Sequence, residues 1–120
     1  MARGEITHVE FPVTDVEAAK RFYGAVAGWE FSAMPEFPDY WMFRTGEASG
    51  GAIGIRDATA PHVVRLYVTV DRLEEAVAAA EANGGSVCQP PAEVPGMGRY
   101  AAVHDPEGNE LGLWENAPGS

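Results

Sequence analysis

The chain has 120 residues, enough for one ordinary domain with its own core, and its hydrophobic fraction of 46% fits a globular protein. Eight basic against eighteen acidic residues leave a net charge of −10, which argues against nucleic acid as a partner, because phosphate binding needs clustered Lys and Arg. The single cysteine, Cys88, fits a reducing cytoplasm, and no long apolar run marks a signal peptide or a membrane span.

The first strand is Glu5-Ile6-Thr7-His8-Val9-Glu10-Phe11-Pro12-Val13. Alternate side chains of a strand point to opposite faces, so Val9, Phe11 and Val13 face a core and His8 and Glu10 face away from it. Thr14-Asp15-Val16-Glu17 fits a capping box. Val16, Ala19, Phe22, Tyr23 and Val26 then recur at helical spacing and form one apolar face, and Gly28 stops the helix. Strands are expected at Trp29 to Met34, Tyr40 to Arg44 and Gly51 to Arg56, with a turn at Pro35 to Pro38. Residues 58–61 form a connector between modules 1–57 and 62–116.

The pattern then repeats. Val63 to Val70 is a strand and Leu73 to Asn83 a helix, stopped by Gly84-Gly85. Ser86 to Gln89 is a strand. Pro90 to Gly98 reads as a long loop that either forms a lip over a site or serves as a rigid connector. Arg99 to His104 and Glu110 to Glu115 are strands joined by the turn Asp105-Pro106-Glu107-Gly108-Asn109. Val13 and Val70 precede the helices and Gly28 and Gly85 follow them, and both pairs differ by 57 positions (70 − 13 and 85 − 28). Strand parity puts Val64, Leu66, Val68 and Val70 on one face and Arg65, Tyr67 and Thr69 on the other. The face turned away from the helices thus carries His8, Glu10, Arg56, Arg65, Tyr67, Glu110 and Trp114. Curled sheets with that inner face make a polar, aromatic-rimmed cup for a small organic molecule.

Two strand-helix-three-strand modules with these motifs resemble the vicinal oxygen chelate superfamily of glyoxalases, bleomycin-resistance proteins and extradiol dioxygenases. The resemblance rests on His8-Val9-Glu10-Phe11-Pro12-Val13-Thr14-Asp15, on Ala18-Ala19-Lys20-Arg21-Phe22-Tyr23 with Gly28-Trp29, and on Val94-Pro95-Gly96-Met97-Gly98 and Asp105-Pro106-Glu107-Gly108-Asn109-Glu110-Leu111-Gly112-Leu113-Trp114-Glu115. It implies an α+β fold of two tandem βαβββ modules, mixed sheets curled around a cup, and a homodimer. In metal-dependent relatives it implies one ligand on the first and last strand of each module. Those positions hold His8, Gly54, Arg65 and Gly112 here. Two lack a side chain and one is a permanent cation, so no metal cofactor is expected. A shifted set would need His8 with Glu10 or Glu110.

Three readings of the function stay open. In the first, His8, whose unperturbed pKa lies near about 6.5, and Glu10 move a proton in lyase, isomerase or cyclase chemistry, with Arg65 stabilising an oxyanion. Arg56, Tyr67, Glu110, Trp114 and Tyr40 then bind substrate. The second is non-catalytic binding or antibiotic sequestration in the aromatic cup. The third is divalent-metal chemistry with the shifted ligands. Beside these, Arg65 and Arg56 paired with Glu10 and Glu110 close a structural salt-bridge network. Trp41 and Phe43 read as core, Cys88 as a small buried residue, and His62 and His104 as histidines with no partner at ligand spacing.

Overall fold

A computed structural model describes residues 3–35, 37–55 and 63–118. The expectations placed on Arg56, on connector 58–61 and on His62 lie outside the described residues. The chain divides into two compact units, His8–Val64 and Met1–Thr7 with Arg65–Ser120. Both follow the strand-helix-three-strand order expected.

The first module comprises β1 (Ile6–Val13), α1 (Val16–Ala27), β2 (Ser32–Met34), β3 (Phe37–Arg44) and β4 (Gly50–Ile55). Its strands run in the order β2-β3-β4-β1. β1 pairs parallel to β4, and β3 pairs antiparallel to both β4 and β2. The α1 N-cap is Asp15, whose carboxylate accepts the Ala18 amide at 3.0 Å. This is one residue later than the Thr14 capping box expected. Gly28 ends the helix in the left-handed conformation, φ 74°, which only glycine adopts without a Cβ penalty.

Aromatic rings fill the space under α1. Phe11 meets Tyr23, Trp29 and Phe43, and Trp29 stacks on Phe43 with centroids 4.0 Å apart. Ile53 is fully buried beside them and Phe43 nearly so. Trp41 is half-buried and lies beneath the Lys20 ammonium, 3.7 Å from its ring centroid. Trp29 supplies core without belonging to a strand, so β2 is three residues long where six were expected. The turn expected at Pro35 to Pro38 is shorter too, because Phe37 and Pro38 already lie in β3. The apolar face assigned to α1 divides: Ala19 and Tyr23 turn inward, while Phe22 and Val26, 59% and 70% exposed, turn outward.

The second module comprises β5 (Arg65–Thr69), α2 (Leu73–Ala82), β6 (Ser86–Val94), β7 (Gly98–His104) and β8 (Glu110–Asn116). The order is β5-β8-β7-β6, with β5 parallel to β8 and the other pairs antiparallel. The opening residues also belong to this unit: Thr69 exchanges backbone bonds with Gly4 and Glu5. The core is aliphatic. Leu73, Ala101, Val103 and Leu113 are buried, with Val68, Val70, Ala76, Val77, Val87 and Leu111 packed around them.

The lip expected from Pro90 to Gly98 is a strand through most of its length. β6 runs to Val94 and only 95–97 turn the chain. Pro90 and Pro91 fit because β6 is an edge strand and its pairing with β7 shifts register between Gln89 and Ala92. A missing N–H is tolerated at such positions.

The N-terminus of α2 is closed from outside the helix. Arg72 supplies no side-chain cap, and Glu115 of β8 accepts the Leu73 amide at 2.8 Å. Arg99 holds Glu115 at 3.0 Å and binds both oxygens of Glu74 at 2.6 and 2.7 Å. These bonds depress the Glu74 carboxyl from 4.5 to about 2. A depressed carboxyl contributes stability that is complete above its unfolded value and is lost as pH falls through its folded one. The Glu74–Arg99 contribution should therefore disappear between about pH 4.5 and 2. Acid unfolding followed by tryptophan fluorescence should show an Arg99→Ala midpoint displaced to higher pH, and coincident curves would refute the account.

Candidate functional site

Strand parity places His8 and Glu10 on one face of β1, opposite Gly50 and Ala52 of β4. β3 lies beyond β4, with Tyr40 paired to Gly54. Two strand spacings, about 10 Å, separate β3 from β1. The Tyr40 ring spans that gap because Gly54 has no side chain: a Cβ there would stand 3.1 Å from the ring.

The phenol therefore sits between the two ionisable residues. His8 Nε2 is 2.9 Å from Tyr40 Oη, and the hydroxyl donates to Glu10 Oε2 at 2.5 Å. The direct His8–Glu10 separation is 3.7 Å, so the phenol is the closer partner of both. A hydroxyl that donates to the carboxylate accepts from the imidazole. That fixes the Nε2 proton on His8 and puts the acceptor lone pair on Nδ1. Sequence reasoning paired His8 with Glu10 and assigned Tyr40 to the rim of the cup. It missed the phenol as their link, and the available signal was the tyrosine aligned with a glycine on the next strand.

The second module repeats the device. Tyr67 pairs with Gly112, and a Cβ on Gly112 would meet the Tyr67 ring at 2.5 Å. Tyr67 is buried, and its hydroxyl accepts from Arg65 Nη1 at 3.1 Å. Arg65 also donates to and pairs with Glu110 Oε1, through Nε and Nη2. Burial opposes the Arg65 cation, but its bonds to Tyr67 and Glu110 outweigh that and raise the guanidinium above its ordinary range. Arg65 and Glu110 thus form the salt-bridge pair foreseen as the structural alternative. Trp114 is half-buried, and its indole N–H donates to Asn116 at 2.8 Å.

Glu110 continues a polar row across β8, β7 and β6. His104 is directly opposite it, and Cys88 occupies a bulge where β6 slips register against β7. The ligand atoms of Cys88, His104 and Glu110 all lie within 4.8 Å of one another. Cys88 is exposed, not buried as expected, because alternation along β6 puts it on the face opposite Val87, which packs on the core. His104, read as having no partner at ligand spacing, has two. They come from neighbouring strands rather than neighbouring positions in the chain, and so left no spacing signal. Desolvation, reinforced by Glu110, pushes the Cys88 thiol up.

The four positions that carry a metal in chelating relatives fit one poorly. His8 is committed to Tyr40, Gly54 and Gly112 lie against tyrosine rings, and Arg65 is cationic.

Comparison with known proteins agrees with this architecture. Residues 5–46 match the family described as bleomycin resistance protein-like N-terminal. A glyoxylase-like domain-containing protein of Didymella fabae is 30% identical over 115 residues, 88% of this chain and 89% of that protein. CFP32 of Mycobacterium tuberculosis, provisionally named a glyoxylase, is 32% identical over 105 residues. That match covers 85% of this chain, which spans only 40% of CFP32. Among solved structures, Streptomyces coelicolor methylmalonyl-CoA epimerase superimposes with TM-score 0.68 at 18% identity, covering 98% of this chain and 97% of that one. The Mn(II)-bound glyoxalase of Novosphingobium aromaticivorans gives 0.67 at 23%, covering 96% and 40%.

The chain belongs to the vicinal oxygen chelate superfamily, among its glyoxylase-like members. The fold is the α+β arrangement of paired βαβββ modules that this family shares.

Gly112→Ala should destabilise the protein by about 1–3 kcal/mol, the usual cost of overpacking a filled site. Tyr67→Ala removes the ring that the new methyl would strike, so the double variant should be more stable than the sum of the single changes predicts. Additive losses in chemical denaturation would show that the ring and the glycine are not coupled.

Proposed function

We propose that the protein binds a small carbonyl compound and shifts a proton on it without a metal, through His8, Tyr40 and Glu10. The observation that carries this reading is the phenol hydroxyl set between imidazole and carboxylate, 2.9 and 2.5 Å away. With its proton on Nε2, His8 offers Nδ1 as the base toward a C–H next to a carbonyl. The C–H bond breaks, its electron pair moves into an enolate, and the proton arrives on Nδ1. The imidazolium charge is met by the hydrogen bond to Tyr40 and by the Glu10 carboxylate behind it. Returning the proton to a different face or atom completes an isomerisation.

In the second module Arg65, a permanent cation held by Tyr67 and Glu110, is suited by itself to an anionic oxygen, and Tyr67, Glu110 and Trp114 are that module's own candidate binding residues. The epimerase and glyoxalase likenesses support carbonyl compounds as the ligand class. The same reading takes the protein as a homodimer of the cytoplasm, with sedimentation velocity as the check on assembly. Among the described residues no helix is long and apolar enough to cross a membrane.

Proton NMR in D₂O tests the chemistry. The panel is methylmalonyl-CoA, the hemithioacetals of methylglyoxal and 2-substituted carboxylic acids. Loss of the C–H signal from at least one compound is expected in metal-depleted protein. His8→Ala should abolish it, and Tyr40→Phe should slow it by about 10²–10⁴ while affinity is largely kept. A compound that binds without exchange, with Trp114→Ala weakening its binding, would favour sequestration and sink proton transfer.

A further inference from the structure

We propose that Cys88, His104 and Glu110 form a binding site for a divalent transition-metal ion, at a place separate from the ligand positions of chelating relatives. Three different donors converge: a thiol, an imidazole and a carboxylate, all within 4.8 Å of one another. Each is delivered by a distinct feature of the sheet. His104 ends β7 and Glu110 opens β8, and the tight turn between them makes them a cross-strand pair. That turn is held by Asp105, which accepts the Glu107 and Asn109 amides at 2.8 and 2.9 Å. Cys88, at the β6 bulge, stands two residues beyond Ser86, the partner of His104, and so lies on the same face.

Two observations set the cluster apart from a chance meeting of polar groups. Neither the Cys88 thiol nor the His104 ring bonds another side chain among the described residues, so both donors remain to be satisfied. The Glu110 side chain is only 10% exposed, yet both its contacts with Arg65 fall on Oε1. A carboxylate this little exposed, with its second oxygen unmatched among the described residues, calls for a donor or a cation. Arg65 meanwhile fixes the carboxylate from behind, as outer partners of metal ligands do.

The donor set selects the ion. Thiolate with imidazole suits Zn²⁺ and its substitutes better than Mg²⁺ or Ca²⁺, which prefer oxygen. Tetrahedral Zn²⁺, bound at about 2.0–2.3 Å, holds its ligand atoms about 3.3–3.8 Å apart. The group must close by about 1.5 Å at most, which side-chain rotation supplies. Binding converts the thiol to thiolate and releases its proton to solvent. Three protein ligands leave a fourth position for water or an added ligand.

Cobalt is the probe. Metal-free protein titrated with Co²⁺ should take up one ion per chain and develop a thiolate-to-cobalt charge-transfer band in the near ultraviolet. Zn²⁺ should bleach the band by displacement. Cys88→Ser should abolish it, and His104→Ala and Glu110→Gln should each weaken binding at least tenfold. His8→Ala should leave band and stoichiometry unchanged, which separates this site from the proton-transfer site. Circular dichroism verifies that each variant is folded, and Cys88→Ala replaces Cys88→Ser if that variant is not. No charge-transfer band, a band that survives loss of the thiol, or affinity indifferent to His104 would overturn the proposal.

Discussion

A tyrosine ring lying against a bare glycine, used once in each module, is the constraint on which the candidate chemistry depends. In the first module Gly54 lets Tyr40 cross β4 to reach β1. In the second, Gly112 lets Tyr67 fold over β8 and meet Arg65. A Cβ at Gly54 would crowd the Tyr40 ring at 3.1 Å, and one at Gly112 would stand only 2.5 Å from Tyr67 ring carbon. Two of the four positions that offer ligands in chelating relatives, Gly54 and Gly112, thus lie here against phenol rings.

Much of this was legible in the chain because it depends on period and punctuation. Alternation in β1 and β5 assigned His8, Glu10, Arg65 and Tyr67 to faces correctly, since a slip of one residue would bury charge in both cores. Gly28 and the Gly84-Gly85 pair marked the helix ends, and the offset of 57 positions exposed the repeat. Failures came where tertiary context overrode local chemistry. Pro90 and Pro91 signal a loop, but on an edge strand with a shifted register they cost no ladder bond. Thr14 is a good cap, but Asp15 is as good, and the chain's path into α1 selected it. Phe22 has helical spacing with Ala19 and Val26, yet it lies about 100° around the helix from Tyr23, which takes the inward position.

The side-chain groupings that sequence reasoning missed share one property: their partners come from other strands. Tyr40 is thirty residues from Glu10, and Cys88 and His104 meet because β6 pairs with β7, Ser86 standing opposite His104 and Cys88 two residues further along. Neither separation has a motif. The two modules also solve the core problem differently, with stacked rings under α1 and branched aliphatics and alanines under α2.

Arg65 and Glu110 pose the sharpest energetic question. A largely buried ion pair is rarely the most stabilising choice, because desolvation of both groups offsets most of their attraction, and apolar residues of similar volume often do as well. Stability alone gives weak grounds for such a pair in a sheet whose other face is packed with Leu, Val and Ala. Its geometry suggests a different benefit. Arg65 orients the Tyr67 hydroxyl and one Glu110 oxygen together, and so preorganises the Glu110 end of the row that runs to His104 and Cys88. A carboxylate held in this way needs no reorganisation when a cation or substrate arrives, and preorganisation of this kind is what makes electrostatics effective in a partly dry site.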